Sequence, residues 1–152
     1  MRIRTAAPAA LAVAALAGAL LVTAPSASAA VSPVQISKVQ YDSPGKDVHT
    51  NKSVNGEWVR LQNRSKGTVS IKGWKLVDTK RHVYTFGNVS LKKGQSVTVY
   101  TGKGKDTTAS KYQQRGWMIW NNTHDTATLS DAKGAKKDAV KWTKPGKGYV
   151  TS

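Results

Sequence analysis

Residues 120–134 read WNNTHDTATLSDAKG. From Thr126 to Ser130 hydroxyl side chains alternate with small or apolar ones, as they do in a strand with one buried face. The two asparagines before this segment and the run from Asp131 to Gly134 after it are residue types that favour turns. The stretch therefore predicts a half-buried strand between two turns, and Asp138 to Trp142 is predicted to be the next strand.

Two upstream segments show the same period of two residues. Residues 57–63 read EWVRLQN, and residues 73–78 read GWKLVD. In the first segment Val59 and Leu61 are predicted to point into the core, whereas Trp58 lies on the opposite side of the strand together with the polar residues.

The rest of the chain from residue 34 onward reads as further short strands separated by turns. Val34 to Tyr41 is the first, with a shift in phase between its two apolar pairs. A polar loop is predicted from Asp42 to Gly56, a long loop from Gly102 to Arg115, and a strand from Trp117 to Trp120. Eight or nine short strands with regular turns predict an all-β, antiparallel sandwich.

In order and spacing, the three motifs resemble those of the lamin tail domain family, in its bacterial exported type. They fall on Glu57 to Asn63, Gly73 to Asp78 and Asn122 to Asp131, and the resemblance spans Val34 to Trp142. It implies an immunoglobulin-like β-sandwich that serves as an interaction module, without implying one particular ligand. One position departs from the family pattern, because His124 replaces a glycine in a turn that favours positive φ.

The first 29 residues have the layout of a secretory signal peptide. A short basic head is followed by an apolar run from Leu11 to Val22 and by small residues that end at Ala29. Cleavage there predicts a secreted protein, extracellular or associated with the cell envelope, and the apolar run is too short for a membrane-spanning anchor. The predicted organisation is therefore a signal peptide at 1–29, a sandwich domain at 30–142 and a flexible tail at 143–152.

The composition excludes several kinds of site. The chain has no cysteine, which rules out disulfides, thiolate nucleophiles, iron–sulfur clusters and cysteine-based zinc sites. It carries 24 Lys plus Arg against 8 Asp plus Glu. Without Arg2 and Arg4 the balance is 22 against 8, an excess of 14 positive charges on about 120 residues.

No catalytic or cofactor-binding motif is present. The three histidines have no metal-ligand spacing, and the serines lack the context of a hydrolase nucleophile. Asp125, Asp131 and Asp138 are the one candidate cation site, if they approach one another across the last hairpin. The alternative is that these carboxylates cap turns and pair with nearby lysines. We predict no enzyme, no cofactor and no metal.

The five tryptophans divide into two groups. Trp74, Trp120 and Trp142 have strand-like apolar neighbours and are predicted to fill the core. Trp58 and Trp117 lie in polar surroundings, and two interpretations stay open for them. They are either surface platforms on which a sugar ring or a base stacks, or parts of a second buried layer.

The positive charge is the main functional signal. It exceeds the net charge of about 2–8 that solubility needs in a small domain. We predict a binding module for polyanions such as wall teichoic acid or DNA, with wall polymer ahead of DNA. The candidate ligand-binding residues are Trp58, Trp117 and what we call the lysine group: Lys133, Lys136, Lys137 and Lys141.

Two other hypotheses remain. One is a small secreted hydrolase or nuclease whose carboxylates hold a divalent ion, which would require the three aspartates to converge. The other is a partner or inhibitor of another exported protein, which the sequence neither supports nor opposes.

Overall fold

Strands dominate the part of the chain that the computed structural model describes, residues 31–152. The predicted signal peptide lies outside the described residues. The described residues form the following elements: β1 (Val34–Gln40), α1 (Asn51–Val54), β2 (Trp58–Asn63), β3 (Val69–Ser70), β4 (Lys75–Val77), β5 (Val83–Thr85), β6 (Ser90–Leu91), β7 (Ser96–Tyr100), β8 (Ser110–Tyr112), β9 (Asp125–Ser130), β10 (Lys136–Trp142) and β11 (Tyr149–Thr151).

Two sheets face each other across the core. The larger has five strands in the order β11-β1-β2-β7-β8, and the smaller has four in the order β10-β9-β4-β5. Neighbouring strands are antiparallel except for β7 and β8, which are parallel. Strands β3 and β6 form a separate short ladder. The predicted immunoglobulin-like β-sandwich is confirmed.

The core contains the residues that the alternation of apolar and polar positions predicted to point inward. Val59 and Leu61 are fully buried, while Trp58, which precedes Val59 and points to the opposite side of the strand, is only partly covered. Trp74, Trp120 and Trp142 are all buried, as predicted. The last of these also stacks on Tyr41, with ring centroids 4.8 Å apart, and its indole N–H donates to the Asn121 carbonyl at 2.7 Å.

A bulge in β1 explains the shift in phase seen in the sequence. The register against β2 slips between Ile36 and Lys38, so that Ser37 is left out of the pairing. Val34 and Ile36 before the slip, and Val39 after it, consequently all face the core. One extra residue thus keeps both halves of the strand buried on the same side.

Two segments predicted to be irregular contribute strands to the larger sheet. The predicted loop 102–115 contains β8, which runs parallel to β7. The prediction of a flexible tail at 143–152 is wrong at its end, because β11 pairs with β1 and places Val150 opposite Val39. This pairing satisfies backbone groups that would otherwise be exposed along the edge of β1.

Two further differences concern the loops. Trp117 to Trp120 do not form the predicted strand; the Ile119 N–H instead donates to the buried carboxylate of Glu57 at 3.0 Å. The predicted loop 42–56 contains α1, a single turn whose N-cap is Thr50. Within residues 31–152 no helix is long and apolar enough to cross a membrane.

Candidate functional site

The lysine group begins in the turn between β9 and β10. The carboxylate of Asp131 closes this turn by accepting the N–H groups of Lys133 and Ala135, both at 2.9 Å. Lys137 Nζ lies 2.9 Å from the same carboxylate, and this hydrogen bond is the main reason why the pKa of Asp131 is lowered. Gly134 adopts a φ of +86°, a conformation that glycine reaches at little cost.

The other three members of the lysine group point into solvent. Lys133, Lys136 and Lys141 are exposed, and the last of these alternates along β10 with the buried Val140 and Trp142. Strand β10 is an edge strand of the smaller sheet. Lysines on an edge strand also prevent pairing with other chains, so their position alone does not imply a ligand.

Trp58 lies on the outward side of the larger sheet. Two cations are positioned over its ring: Lys38 Nζ is 5.3 Å and the Arg60 guanidinium carbon 5.0 Å from the ring centroid. The tryptophan is half-buried by these neighbours and does not belong to the core.

Trp117 lies in the connection between β8 and β9. Its side chain is 42% exposed, and its ring stacks on His49 with 3.3 Å between centroids. It borders a surface depression of about 750 Å³ that Lys80, His82 and Arg115 also line. The alternative of a second buried layer is therefore wrong for Trp117. The six predicted ligand-binding residues lie in three separate regions of the fold: strand β2, the connection between β8 and β9, and the hairpin of β9 and β10.

The three aspartates of the candidate cation site do not come together. The register of β9 and β10 places Asp125 opposite Trp142 and Asp138 opposite Leu129. These positions are four residues apart along β9, or about 13 Å. Within residues 31–152 no three His, Asp or Glu side chains are grouped as a cation site would require.

Each of these aspartates instead binds N–H groups of the protein. Asp125 is buried and accepts hydrogen bonds from the backbone of Thr79, Asn121 and Thr126. Asp138 accepts the Ile36 N–H at 2.7 Å and thereby links β10 to β1 of the other sheet. The interpretation of these carboxylates as turn caps paired with lysines is therefore only partly correct. Asp131 caps a turn and pairs with Lys137, whereas Asp138 lies within β10, and within residues 31–152 Lys133, Lys136 and Lys141 form no salt bridge with a carboxylate.

His124 does not strain the turn in which it replaces the family's glycine. Among the non-glycine residues that the structure describes, only Arg81 and Gln114 have positive φ. The turn is closed by the Asn121 side chain, which accepts the N–H groups of Thr123 and His124. A side chain therefore supplies the turn that a left-handed glycine would otherwise make.

Glu57 is an ionisable residue whose position the sequence did not indicate. Its side chain is fully buried, and burial raises its pKa from an ordinary value of 4.5 to about 8. The backbone N–H groups of Ile119 and Trp120 oppose this shift but do not cancel it. Within residues 31–152 neither the second carboxyl oxygen nor the Thr101 hydroxyl has a hydrogen-bond partner.

Asp78 and His82, whose pairing was not predicted from the sequence, close the β4–β5 hairpin. Asp78 is buried and accepts the backbone N–H of His82 at 2.7 Å, and its other oxygen lies 2.6 Å from His82 Nδ1. Arg81 within this turn has a φ of +66°. The spacing of four residues in a tight turn was the available signal.

Carboxylates and cations have different roles in this structure. Each of the eight carboxylates accepts at least one hydrogen bond; six accept from backbone N–H groups, and Asp42 and Asp47 share the Asn122 amide. Within residues 31–152, only Lys111 and Lys137 among the Lys and Arg residues form salt bridges with a carboxylate. The acidic residues thus hold the fold together, and most of the positive charge is left unneutralised.

These features define an immunoglobulin-like domain with a basic, largely unpaired surface. The family model of the Lamin Tail Domain matches residues 27–144, and the chain belongs to this family. Such domains are generally interaction modules and generally not catalytic. Comparison with curated proteins gives no match.

Proposed function

We propose that this protein is a non-catalytic binding module that works outside the cell and holds anionic polymers on its basic surface. Its ligands would be phosphate-rich chains such as wall teichoic acid or DNA. Export is supported by the layout of residues 1–29, and the class of module by membership of the lamin tail domain family.

The proposal rests on a difference between the acidic and the basic side chains: the acidic ones are bound within the fold, whereas most of the basic ones within residues 31–152 are unpaired. A fold that needed its lysines for stability would pair them with carboxylates, yet the carboxylates are bound mainly to backbone N–H groups. The exposed cations therefore create a positive field that extends into solvent and attracts polyanions. A coat needed only for solubility would require far less net charge.

No observation favours the hydrolase hypothesis. The carboxylates that it requires lie at different ends of the β9–β10 hairpin and already bind backbone N–H groups. A reaction requires groups with defined roles within reach of one substrate position.

Charge reversal in the lysine group tests the proposal. The test variant changes Lys133, Lys136 and Lys141 to Glu, all of which are exposed. Lys137 is left unchanged because its contact with Asp131 supports the turn. The matched control reverses Lys66, Lys92 and Lys93, which are also exposed and change the net charge equally.

The measurement is co-sedimentation with teichoic acid-bearing cell walls and retention on DNA-cellulose. We expect the test variant to be released at lower salt than the control, with unchanged circular dichroism for both. Equal release of the two variants would overturn the role of the lysine group. If both variants were released only at the salt concentration that releases the unmodified protein, polyanion binding would be overturned and a specific protein partner indicated.

A further inference from the structure

The outward side of the five-stranded sheet, which we call the outer face, carries a line of aromatic rings. The register places Tyr149 opposite Gln40, Gln40 opposite Trp58, Trp58 opposite Tyr100, and Tyr100 opposite Tyr112. Because directly paired residues of neighbouring strands point to the same side, these side chains form one row across all five strands. We call Tyr149, Trp58, Tyr100 and Tyr112 the aromatic row.

One end of the aromatic row is closed and the other is open. Tyr112 stacks on Tyr100 with 5.2 Å between centroids, and it also packs directly against Gly104, where a Cβ would overlap Cε1 of its ring. Tyr149 at the opposite end is 38% exposed, and Trp58 lies between them. A ligand therefore has access from the side of β11 towards the middle of the sheet.

A second row on the outer face consists of hydrogen-bond donors. The same register pairs Thr151 with Lys38, Lys38 with Arg60, Arg60 with Thr98, and Thr98 with Ser110. These positions are two residues along each strand from the aromatic row, a separation of about 6.7 Å. We call this line the donor row.

The centre of the donor row holds two like charges in direct opposition. Lys38 and Arg60 are cross-strand partners, an arrangement that destabilises a sheet unless something offsets it. Within residues 31–152 neither forms a salt bridge with a carboxylate. The sequences of the five strands contain no Asp or Glu.

The aromatic rings hold these cations in place. Lys38 Nζ lies 3.9 Å from the ring centroid of Tyr149 and 5.3 Å from that of Trp58, and Arg60 also lies over Trp58. The Arg60 Nε–H donates to the Thr98 hydroxyl at 3.4 Å. Rings and cations are therefore held together on the outer face, and the positive charge of the two cations is not neutralised by a carboxylate within residues 31–152.

The donors and aromatic rings of the outer face favour some polyanions over others. Lysine and arginine donate without accepting, and no carboxylate is available on these strands for the hydroxyl groups of a neutral sugar. Phosphate oxygens are acceptors and suit such a face. The aromatic row requires in addition a ligand with flat rings, which a poly(glycerol phosphate) chain lacks.

We infer that the outer face binds single-stranded nucleic acid, with bases against the aromatic row and phosphates along the donor row. This inference rests on the proposed function, since it names the polyanion that one face of the basic domain prefers. Stacking on aromatic side chains combined with cationic contacts to the backbone is how single strands are held without sequence preference. A duplex keeps its bases stacked inside and offers only its phosphates.

Fluorescence anisotropy of a labelled oligothymidylate tests the inference on the full-length protein. The competitors are a matched DNA duplex, poly(glycerol phosphate) and polygalacturonate. The variants are Trp58→Ala and Tyr149→Ala on the outer face, and Val83→Ala is the control because it removes an exposed apolar side chain from β5 of the other sheet. Thermal unfolding establishes that each variant is folded, and Tyr149→Ala provides the test if Trp58→Ala is not.

We expect each outer-face variant to bind the oligothymidylate about fivefold or more weakly, and the control to bind as the unmodified protein does. Binding of poly(glycerol phosphate) should be unchanged in all three. Equal affinity for all the polymers, without any effect of the outer-face variants, would overturn the inference and leave the proposed function intact. Tighter binding of polygalacturonate would assign the face to an acidic glycan instead. Absence of binding to every polymer at low salt would overturn the proposed function itself.

Discussion

Replacing Glu57 by Gln is expected to remove a large part of the pH dependence of stability. The carboxyl group is fully buried between β2 and the segment around Ile119, and burial raises its pKa to about 8. Gln keeps the acceptor for the Ile119 N–H but has no charge. It therefore imitates the neutral form that the folded protein prefers.

The sign and the size follow from the two pKa values. Below pH 4.5 the carboxyl is protonated in both the folded and the unfolded state, and its contribution to the unfolding free energy does not change with pH. Between pH 4.5 and about 8 only the unfolded chain releases the proton, so stability falls by up to about 1.4 kcal/mol per pH unit. Over the whole window the loss amounts to roughly 4–5 kcal/mol, a large part of the stability of a small domain.

Urea denaturation at a series of pH values from 4 to 9 measures this effect. We expect the unmodified protein to lose stability as the pH rises, and Glu57→Gln to be nearly constant and more stable at pH 8. Asp131→Asn is the control, because the lowered pKa of Asp131 contributes stability that is lost only as the pH falls below its ordinary value of 3.8. Parallel curves for the unmodified protein and Glu57→Gln would refute the assignment of a buried, neutral carboxyl.

Three further predictions concern the fold. Trp74→Ala should lower the unfolding free energy measured in urea by roughly 3–5 kcal/mol, because a large buried side chain is lost. Trp117→Ala should change it by no more than about 0.5 kcal/mol. Equal losses for the two variants would mean that the burial of these tryptophans is misassigned. Asp138→Ala should lower the unfolding free energy by about 1–3 kcal/mol, because the Ile36 N–H loses its acceptor. An unchanged midpoint of urea denaturation would argue against this link between the sheets. Chelator and reductant should leave the melting temperature unchanged, and a shift with chelator would restore a cation site at the aspartates.

Local pattern predicted the parts of the fold that depend on the period of a strand. The alternation around Val59 and Leu61 identified the inward face, and the shift in phase within β1 corresponds to the bulge at Ser37. Such features were predictable because each residue's side of the sheet depends on its immediate neighbours.

Long-range pairing was not predictable in the same way. Strands β8 and β11 consist mostly of polar, partly exposed residues, and they are ordered by backbone pairing with β7 and β1. Trp117 to Trp120 have strand-like composition but no partner strand in the structure described, since the Ile119 N–H is bound by Glu57. Composition does not show which strand a segment will pair with, nor which carboxylate will be buried next to it.

The candidate site shows the same division. Exposure of Lys133, Lys136 and Lys141 followed from the turn and the alternation in β10. The alignment of Trp58 with tyrosines from three other strands required the register of the whole sheet. Cross-strand neighbours that are distant in sequence leave no periodic signal.

The salt dependence of binding to duplex DNA is the sharpest test of whether the basic surface binds polyanions. Duplex is the appropriate ligand because it reports phosphate contacts without stacking. The observed association constant should fall log-linearly with salt, by about 0.9 in slope for each phosphate neutralised, so that five contacts give roughly −4.5. The basic surface predicts a slope of this order, with little preference for sequence. A slope near zero, or binding that one DNA sequence alone supports, would contradict an account in which unpaired surface lysines and arginines hold a polyanion.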